Sequence, residues 1–474
     1  MTEKLLYLFL ILLASCGKSE KSSPNVFFTG EIVNPTSSHV VLYKGDIVID
    51  SAKLDEQNRF TFRFDSIIDG LYHFNHAPEL QYIYLKNGDS LAIRLNTVAF
   101  DESLVFSGTG EDINNFLLEL FLANEEERSS IYAAYKMEPD DFSAYVNSLS
   151  QSKIDQLERL KNEGDLTEKE IKIAEASIKY EYNTFKERYP FIHRKQSGSK
   201  KIKELPTSFY DYRKDLSYGD SDLTYLRPFY NFMNNHFGNI SYMSCSEDCA
   251  IMDNRVKNQL HFNKHKLKLI DSIVVEKELK DNLFRNVAFD YLLKAHDAEE
   301  NNKAFIELFH ELSSNNKHIK EIEDLYHRIR NMQPKKELPE IMVQKLDGEK
   351  ISLKDISKDK KTIFYFWSGA NKKHFKELTQ RILLLKSKNS DYSFVGINIR
   401  TDEPAWKGIV KSANLDATNQ YRSADIEELS RTLIIDKINK CIIAKNGKII
   451  DAFSDIFSRS VEKEMAREIQ LASH

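Results

Sequence analysis

The residues with most chemistry to offer are the four cysteines, Cys16, Cys245, Cys249 and Cys441. Cys245 and Cys249 stand four apart in "ISYMSCSEDCAIMD". Three chemistries fit that spacing: a local disulfide, a redox-active pair, or a soft metal site completed by Met243, since thiolate and thioether ligands suit Cu(I). Carboxylates at Glu247 and Asp248 disfavour a thiolate beside them, which weighs against an activated nucleophile. Cys441 falls in an apolar run and reads as a small core hydrophobe. His261 and His265 are four apart on a predicted helix, but "HFNKHK" lacks the glutamate of a zinc-protease motif, so both are expected as surface histidines. His73 and His76 lie in or beside a predicted strand without a third ligand. The runs "NEEER" and "DAEENN" read as solvated faces. The sequence carries no Ser-His-Asp pattern, phosphate loop or nucleotide fingerprint, and neither a metal nor a cofactor is expected.

The chain opens with Lys4, the run "LLYLFLILLAS" and Cys16. A short apolar run behind a basic residue is a secretory signal. It has about half of the ~20 residues that a spanning helix needs. Leu13-Ala14-Ser15-Cys16 resembles the lipobox of bacterial lipoproteins. That resemblance implies that Cys16 becomes the acylated N-terminus and anchors the protein to an inner or outer membrane, facing the periplasm of a Gram-negative envelope. Residues 1–16 are then signal and lipobox, and 17–24 ("GKSEKSSP" at Gly17–Pro24) a flexible tether. Export exposes the remaining cysteines to oxidising conditions, which favours the local disulfide at Cys245 and Cys249. Three cysteines do not build a disulfide scaffold.

The 474 residues argue for several domains. Hydrophobic content of 41% and charged content of 29% suit folded cores, and a net charge of −5 without a basic stripe excludes a nucleic-acid partner. Residues 25–110 alternate apolar and polar in short runs ("NVFFTGEIV", "RFTFRFD", "QYIYLKNGDSLAIRL") with turn signals between them. The pattern predicts an antiparallel β sandwich or barrel. Residues 111–335 switch to helical periodicity. One stripe should hold Leu117, Leu120, Phe121 and Tyr132. A second helix should be capped by Asp140 and Asp141 and end at Gly164. A third should open on the capping box Thr167–Glu170 and end at Pro190. Further helices are expected near 222–237, 254–273, 276–295, 301–312 and 317–332. Residues 338–474 alternate strand and helix, which predicts an α/β sheet with helices on both faces.

Several features of that last segment occur in a telling order: "DGEKISLKDI", "IFYFW", "KKHFKEL", "FVGINI", "EPAWKGIV" and "KNGKII". Together they resemble the thioredoxin-like domains of membrane-anchored envelope thiol–disulfide oxidoreductases. "LKNGDSLAI" and "FSGTGEDINNFL" upstream resemble the β-rich module that precedes such domains in Gram-negative lipoproteins. The family's chemistry rests on a Cys-x-x-Cys at a helix N-terminus, where dipole and orphan N–H groups favour a thiolate. Here the stretch between "FW" and the helix is Ser368-Gly369-Ala370-Asn371, three residues shorter than the usual A-T-W-C-G-P-C. The family also has a cis-proline before the "KNGK" turn. Ile438 stands there, and a non-proline cis bond costs ~2.5–4 kcal/mol, so a trans bond is expected. The resemblance therefore implies a thioredoxin-like scaffold with a degenerate site, acting by binding an envelope protein or peptide. The alternative is an oxidoreductase that uses Cys245 and Cys249. His374, in the first helical turn after the loop, is expected to face solvent.

Overall fold

The structure, a computed structural model, describes residues 24–245, 247–252 and 255–472. The signal, Cys16 and nearly all of the tether lie outside the described residues. Among the described residues no helix is long and apolar enough to cross a membrane. The chain divides into two compact units: one runs to Val256 and includes Leu269–Lys280, the other holds Lys257–Lys268 and everything from Asp281.

The first unit begins with eight strands: β1 Val26–Val33, β2 His39–Lys44, β3 Ile47–Lys53, β4 Arg59–Phe64, β5 Gly70–His76, β6 Glu79–Leu85, β7 Ser90–Asn96 and β8 Val105–Gly108. They form two four-stranded sheets, ordered β4-β1-β7-β8 and β3-β2-β5-β6. Alternation makes this possible: in β1 every second side chain is buried. The inward set meets in one core, where Phe28 lies 6.0 Å from Phe62 and 5.6 Å from Phe74, ring centre to ring centre. The sandwich is not wholly antiparallel, because β1 pairs with β7 in parallel. After β4 the chain builds the β5–β6 hairpin in the other sheet and re-enters beside β1 in the same direction.

Helices complete the unit: α1 Phe100–Ser103, α2 Glu111–Ala134, α3 Pro139–Glu163, α4 Glu168–Ser197 and α5 Arg227–Ser244. On α2 the buried stripe includes Ile113, Phe116, Leu120, Ile131 and Ala134, while Tyr132 is exposed, one position off the expected face. Helix α3 is preceded by Glu138, which makes no side-chain cap bond. Pro139 opens the helix, and Asp140 and Asp141 sit in its first turn, where they complement the helix dipole rather than cap it. The capping box of Thr167 and Glu170 is formed. Helix α4 does not stop at Pro190 but runs to Ser197 and closes on Gly198 at φ +68°. An interior proline costs roughly 3 kcal/mol. Packing offsets it, since fully buried Tyr189 lies 4.6 Å from Phe142 and 5.2 Å from Phe209.

The helices α6 Gln259–Ile273 and α7 Lys277–Lys294 are each shared between the units. The second unit adds α8 Glu299–Leu312 and α9 Ile319–Asn331. It is then built on seven strands. These follow the two-residue strands β9 Ile251–Met252 and β10 Arg255–Val256, and run β11 Met342–Gln344, β12 Lys350–Ser352, β13 Lys361–Trp367, β14 Tyr392–Asn398, β15 Gln420–Arg422, β16 Lys440–Lys445 and β17 Lys448–Asp455. The sheet order is β12-β11-β15-β14-β13-β16-β17. Strands β13, β14 and β15 are parallel, and β16 joins β13 antiparallel. The sheet-associated helices are α10 Leu353–Ile356, α11 Lys372–Lys388, α12 Glu403–Ser412, α13 Ile426–Thr432 and α14 Arg459–Ala472. Their apolar faces meet β13 in a core of Ile363, Trp367, Leu378, Trp406 and Ile443.

The sandwich core gives a direct test. We predict that Phe28→Ala destabilises the sandwich by about 3–5 kcal/mol, the range for deleting a fully buried phenylalanine. Urea unfolding followed by hydrogen exchange at β1 and β7 measures it; a loss below about 1 kcal/mol would contradict this core assignment.

Candidate functional site

Strand β13 enters the site from a fully apolar environment. From Thr362 to Trp367 every side chain is buried. The chain must then turn into α11 within four residues, Ser368 to Asn371. The backbone N–H of Gly369 donates to Thr401 Oγ1 at 2.8 Å, and that of Ala370 to Ser368 Oγ at 3.3 Å. Asn371 caps the helix, accepting the His374 N–H at 3.0 Å. A Cβ on Gly369 would meet Ile409 Cδ1 at 2.6 Å, so the loop lies close against α12 and a larger residue would have to displace that side-chain end.

Beside this loop is a cavity of about 540 Å³. Ser368, Ala370, Asn371 and Lys372 line one side, and Ile435, Asp436 and Ile438 another, with Arg400 also at its wall. The structure thus brings the loop before α11 and Ile438 to one cavity. The only cis peptide among the described residues is Ala77–Pro78, so the bond before Ile438 is trans, as expected. Lys372 and Arg400 bring positive charge to this cavity and Asp436 a negative one.

His374 does not face solvent. It is buried, and its Nε2 bonds Asn439 Oδ1 at 2.9 Å, tying the first turn of α11 to the segment after Ile438. The reason is geometric: the short loop brings that turn directly over the 433–440 segment. Cys441 is a buried core residue on β16, opposite Tyr365 in register. Burial pushes its thiol well above the ordinary range, with Asp451 and Asp455 adding to the effect, so it is no nucleophile at neutral pH.

Lys440, which the sequence reading passed over, closes the floor of this region. It is 5% exposed, and its ammonium donates to the carbonyls of Leu433 at 2.7 Å and Ile434 at 2.8 Å. Those carbonyls end α13, so Lys440 holds in place the segment that forms the cavity wall. Phe453 lies 4.5 Å beneath the charge. Burial outweighs these contacts and the nearby Asp436 and Asp451, and brings the lysine down to about 7. Its alternation with apolar neighbours in "INKCIIAK" gave no signal, because a snorkelling lysine has the same pattern.

The other sequence candidates are placed elsewhere. Cys245 and Cys249 are disulfide-bonded with Cα atoms 6.1 Å apart, just after α5 ends. Cys249 is fully buried and Met243 is 45% exposed. His76 is buried with both ring nitrogens engaged: Nε2 accepts the Thr36 N–H at 3.0 Å and Nδ1 faces the His39 carbonyl at 3.1 Å. No ring nitrogen is left for a metal. His73 stacks on Tyr43 at 4.8 Å. His261 and His265 do share α6, but they are partly buried rather than on the surface. Burial and the neighbouring His261 hold His265 below the usual range. The acidic runs are not purely solvated either. Glu127 accepts the Tyr182 hydroxyl at 2.7 Å and pairs with Lys153 at 3.2 Å, and Glu299 accepts the Tyr326 hydroxyl at 2.7 Å.

A second polar cluster was illegible in the sequence. Glu187, 1% exposed, accepts Arg213 Nε at 2.9 Å and His236 Nδ1 at 2.8 Å, and His236 Nε2 meets the Tyr218 hydroxyl at 2.9 Å. Arg213 also lies 3.6 Å over the Tyr210 ring. Partners up to 49 residues apart leave no local pattern.

No protein-family model and no curated protein match the chain. Solved structures similar to part of the chain are thioredoxin-like domains of thiol–disulfide oxidoreductases. The thioredoxin domain of such an enzyme from Bacteroides vulgatus is 21% identical over 28% of this chain and 96% of its own, with a TM-score of 0.24. One from Bacteroides fragilis is 20% identical over 27% and 98%, at 0.23. A secreted disulfide oxidoreductase of Mycobacterium tuberculosis is 17% identical over 27% and 96%, at 0.22. Likeness at that level establishes no shared activity.

Lys440 makes the site's electrostatics testable. Its proton is held less tightly in the folded state than in the unfolded chain, where the ordinary value is 10.5. Its contribution is therefore neutral above that value, becomes destabilising as pH falls toward about 7, and is constant below. We predict that wild type gains on the order of 3–4 kcal/mol relative to Lys440→Met between neutral and alkaline pH. Parallel urea titrations of the two proteins measure it, and a pH-independent difference would refute the buried, neutralised lysine.

Proposed function

We propose that this chain is a lipid-anchored cell-envelope protein whose C-terminal thioredoxin-type domain binds a protein or peptide segment without thiol–disulfide exchange. In this reading 25–110 is a β-rich domain, 111–335 a helical domain and 338–474 the thioredoxin-like domain. The observation that carries it is the loop cavity: Ser368–Asn371 and Ile438 line it together, none of its lining residues contains sulfur, and Cys441 is locked in the core. A cavity open to solvent beside a helix N-terminus still offers surface to an extended peptide. The β-rich and helical domains would supply further binding surface or distance from the membrane.

One specific observation favours a second reading. The Cys245–Cys249 pair is oxidised and close in sequence, as an exchange-active dithiol would be. Flanking carboxylates and a fully buried Cys249 weigh against it. Closing a loop of that length stabilises by about 2 kcal/mol in the chain-entropy account, enough to explain the pair structurally.

The deciding experiment is the reduction potential of Cys245–Cys249 together with insulin-disulfide reduction by wild type and Cys245→Ser/Cys249→Ser. We expect a potential below about −300 mV and no turnover by either protein, with the variant losing about 2 kcal/mol of stability at most. A potential between about −270 and −120 mV, with turnover lost in the variant, would establish the exchange enzyme instead.

The anchor is tested separately. Cys16→Ser should move the protein from the detergent-soluble membrane fraction to the aqueous fraction and remove acyl mass from its N-terminal peptide. Unchanged fractionation and mass would remove the lipoprotein assignment.

A further inference from the structure

In the second unit, away from the loop cavity, helices α9 and α13 face a cavity of about 1000 Å³, and a neighbouring one of about 480 Å³ shares Asp324, Arg328 and Arg431 with it. We propose that this shared wall is a binding site for a single oxyanion group, gripped by Arg328 with Arg431 beside it. The inference stands independently of the function proposed for the loop.

Three observations carry it. First, the Nε–H of Arg328 is buried and has no hydrogen-bond partner. A guanidinium has five fixed donors that match a carboxylate or phosphate, and a buried one without an acceptor is an incomplete site. Second, on the side of the smaller cavity cationic side chains outnumber acidic ones, whereas the larger cavity has the opposite balance, with Asp324, Glu337, Asp425, Glu427 and Glu428 against Lys336, Arg328 and Arg431. The smaller cavity is lined by Lys317, Lys320, Arg328 and Arg431 against only Glu321 and Asp324, four cationic side chains to two acidic ones. Third, both acids are already engaged. Glu321 accepts Arg285 Nε and Nη2, each at 2.6 Å, and Asp324 takes Arg431 at 3.4 Å. Asp324 and Glu321 still favour the Arg328 charge from a distance, but burial first and Arg431 second make it less favourable, and neither acid forms an ion pair with it among the described residues. An arriving oxyanion offsets both effects.

The far wall limits what the anion can be. Asp425, Glu427 and Glu428 also line the larger cavity. They belong to the start of α13, where Asp425 accepts the Glu428 N–H at 2.9 Å and the acids complement the helix dipole. They would repel a polyanion. The ligand therefore presents one oxyanion, either a peptide carboxylate or free phosphate, to the arginine wall.

The test uses the full-length chain and two probes: a fluorescein-labelled Gly/Ser peptide carrying one glutamate, with its glutamine counterpart, and inorganic phosphate titrated calorimetrically. Binding of one probe should be about tenfold or more weaker in Arg328→Gln, partly retained in Arg328→Lys, and unchanged in Arg400→Gln at the loop cavity. Circular dichroism confirms that the variants fold, and Arg431→Gln should weaken binding as well. Preference for the glutamate peptide identifies a peptide carboxylate, and preference for phosphate identifies the free anion. Binding of neither probe, binding indifferent to Arg328→Gln, or binding lost in Arg400→Gln instead would overturn the proposal.

Discussion

Everything in the second unit depends on one constraint: strand β13 is buried on both faces. A polar side chain in that position is costly without a partner, so "TIFYFW" is nearly all apolar, although the buried Thr362 hydroxyl has none. Its one hydrogen-bonding tyrosine obeys the rule, because Tyr365 accepts Gln420 Nε2 at 3.0 Å while Gln420 Oε1 takes the Trp367 indole at 3.1 Å. Strands β14 and β16 flank it, helix α11 covers it, and the loop leaving its end must lie where the sheet puts it. The position of the candidate site is thus fixed by burial, independently of the residues that occupy it.

The first unit solves the opposite problem. Its sandwich is held by aromatic packing, but its helices are tied together around a buried carboxylate. Glu187 would be very costly without partners, and it has two of them on separate elements, Arg213 and His236. Those bonds hold its carboxyl below the ordinary range despite burial. Asn239 adds a bond to the Glu187 carbonyl at 2.8 Å. Removing one partner leaves a charge uncompensated, so the network specifies how α4, the turn at Thr207–Asp215 and α5 meet. Its Tyr218–His236–Glu187 chain has the connectivity of a proton relay, but its bonds are all explained by that structural task.

What could be read from the sequence was what periodicity records. The strand alternation of "VFFTGEIV" and the capping box at Thr167 depend on neighbours a few residues away, and the structure places them as expected. What escaped was set by distant contacts. The parallel pairing of β1 with β7 follows from where the chain goes in between. The survival of α4 through Pro190 follows from the packing of Tyr189 against α3. The burial of His374 follows from Asn439, 65 residues away. The same holds for the site: the loop and Ile438 were legible as motif positions, whereas Lys440 and Arg328 look like ordinary surface cations in one dimension.

The cavities of the second unit show that recognition and thiol exchange place different demands on a fold. Thiol exchange needs a particular atom at a helix N-terminus, and substituting or deleting one loop removes it outright. Recognition needs only shape, donors and charge, which are spread over several elements and survive the loss of any one of them. Lys372 opens α11, Arg400 follows β14, and Arg328 and Arg431 lie on α9 and α13, so the cations of these cavities come from four separate places in the fold. Lys440 makes the point from the other side. A protein that keeps a lysine almost wholly buried, at a cost in stability near neutral pH, to hold the carbonyls of Leu433 and Ile434 is maintaining the shape of the wall beyond what folding of the sheet requires.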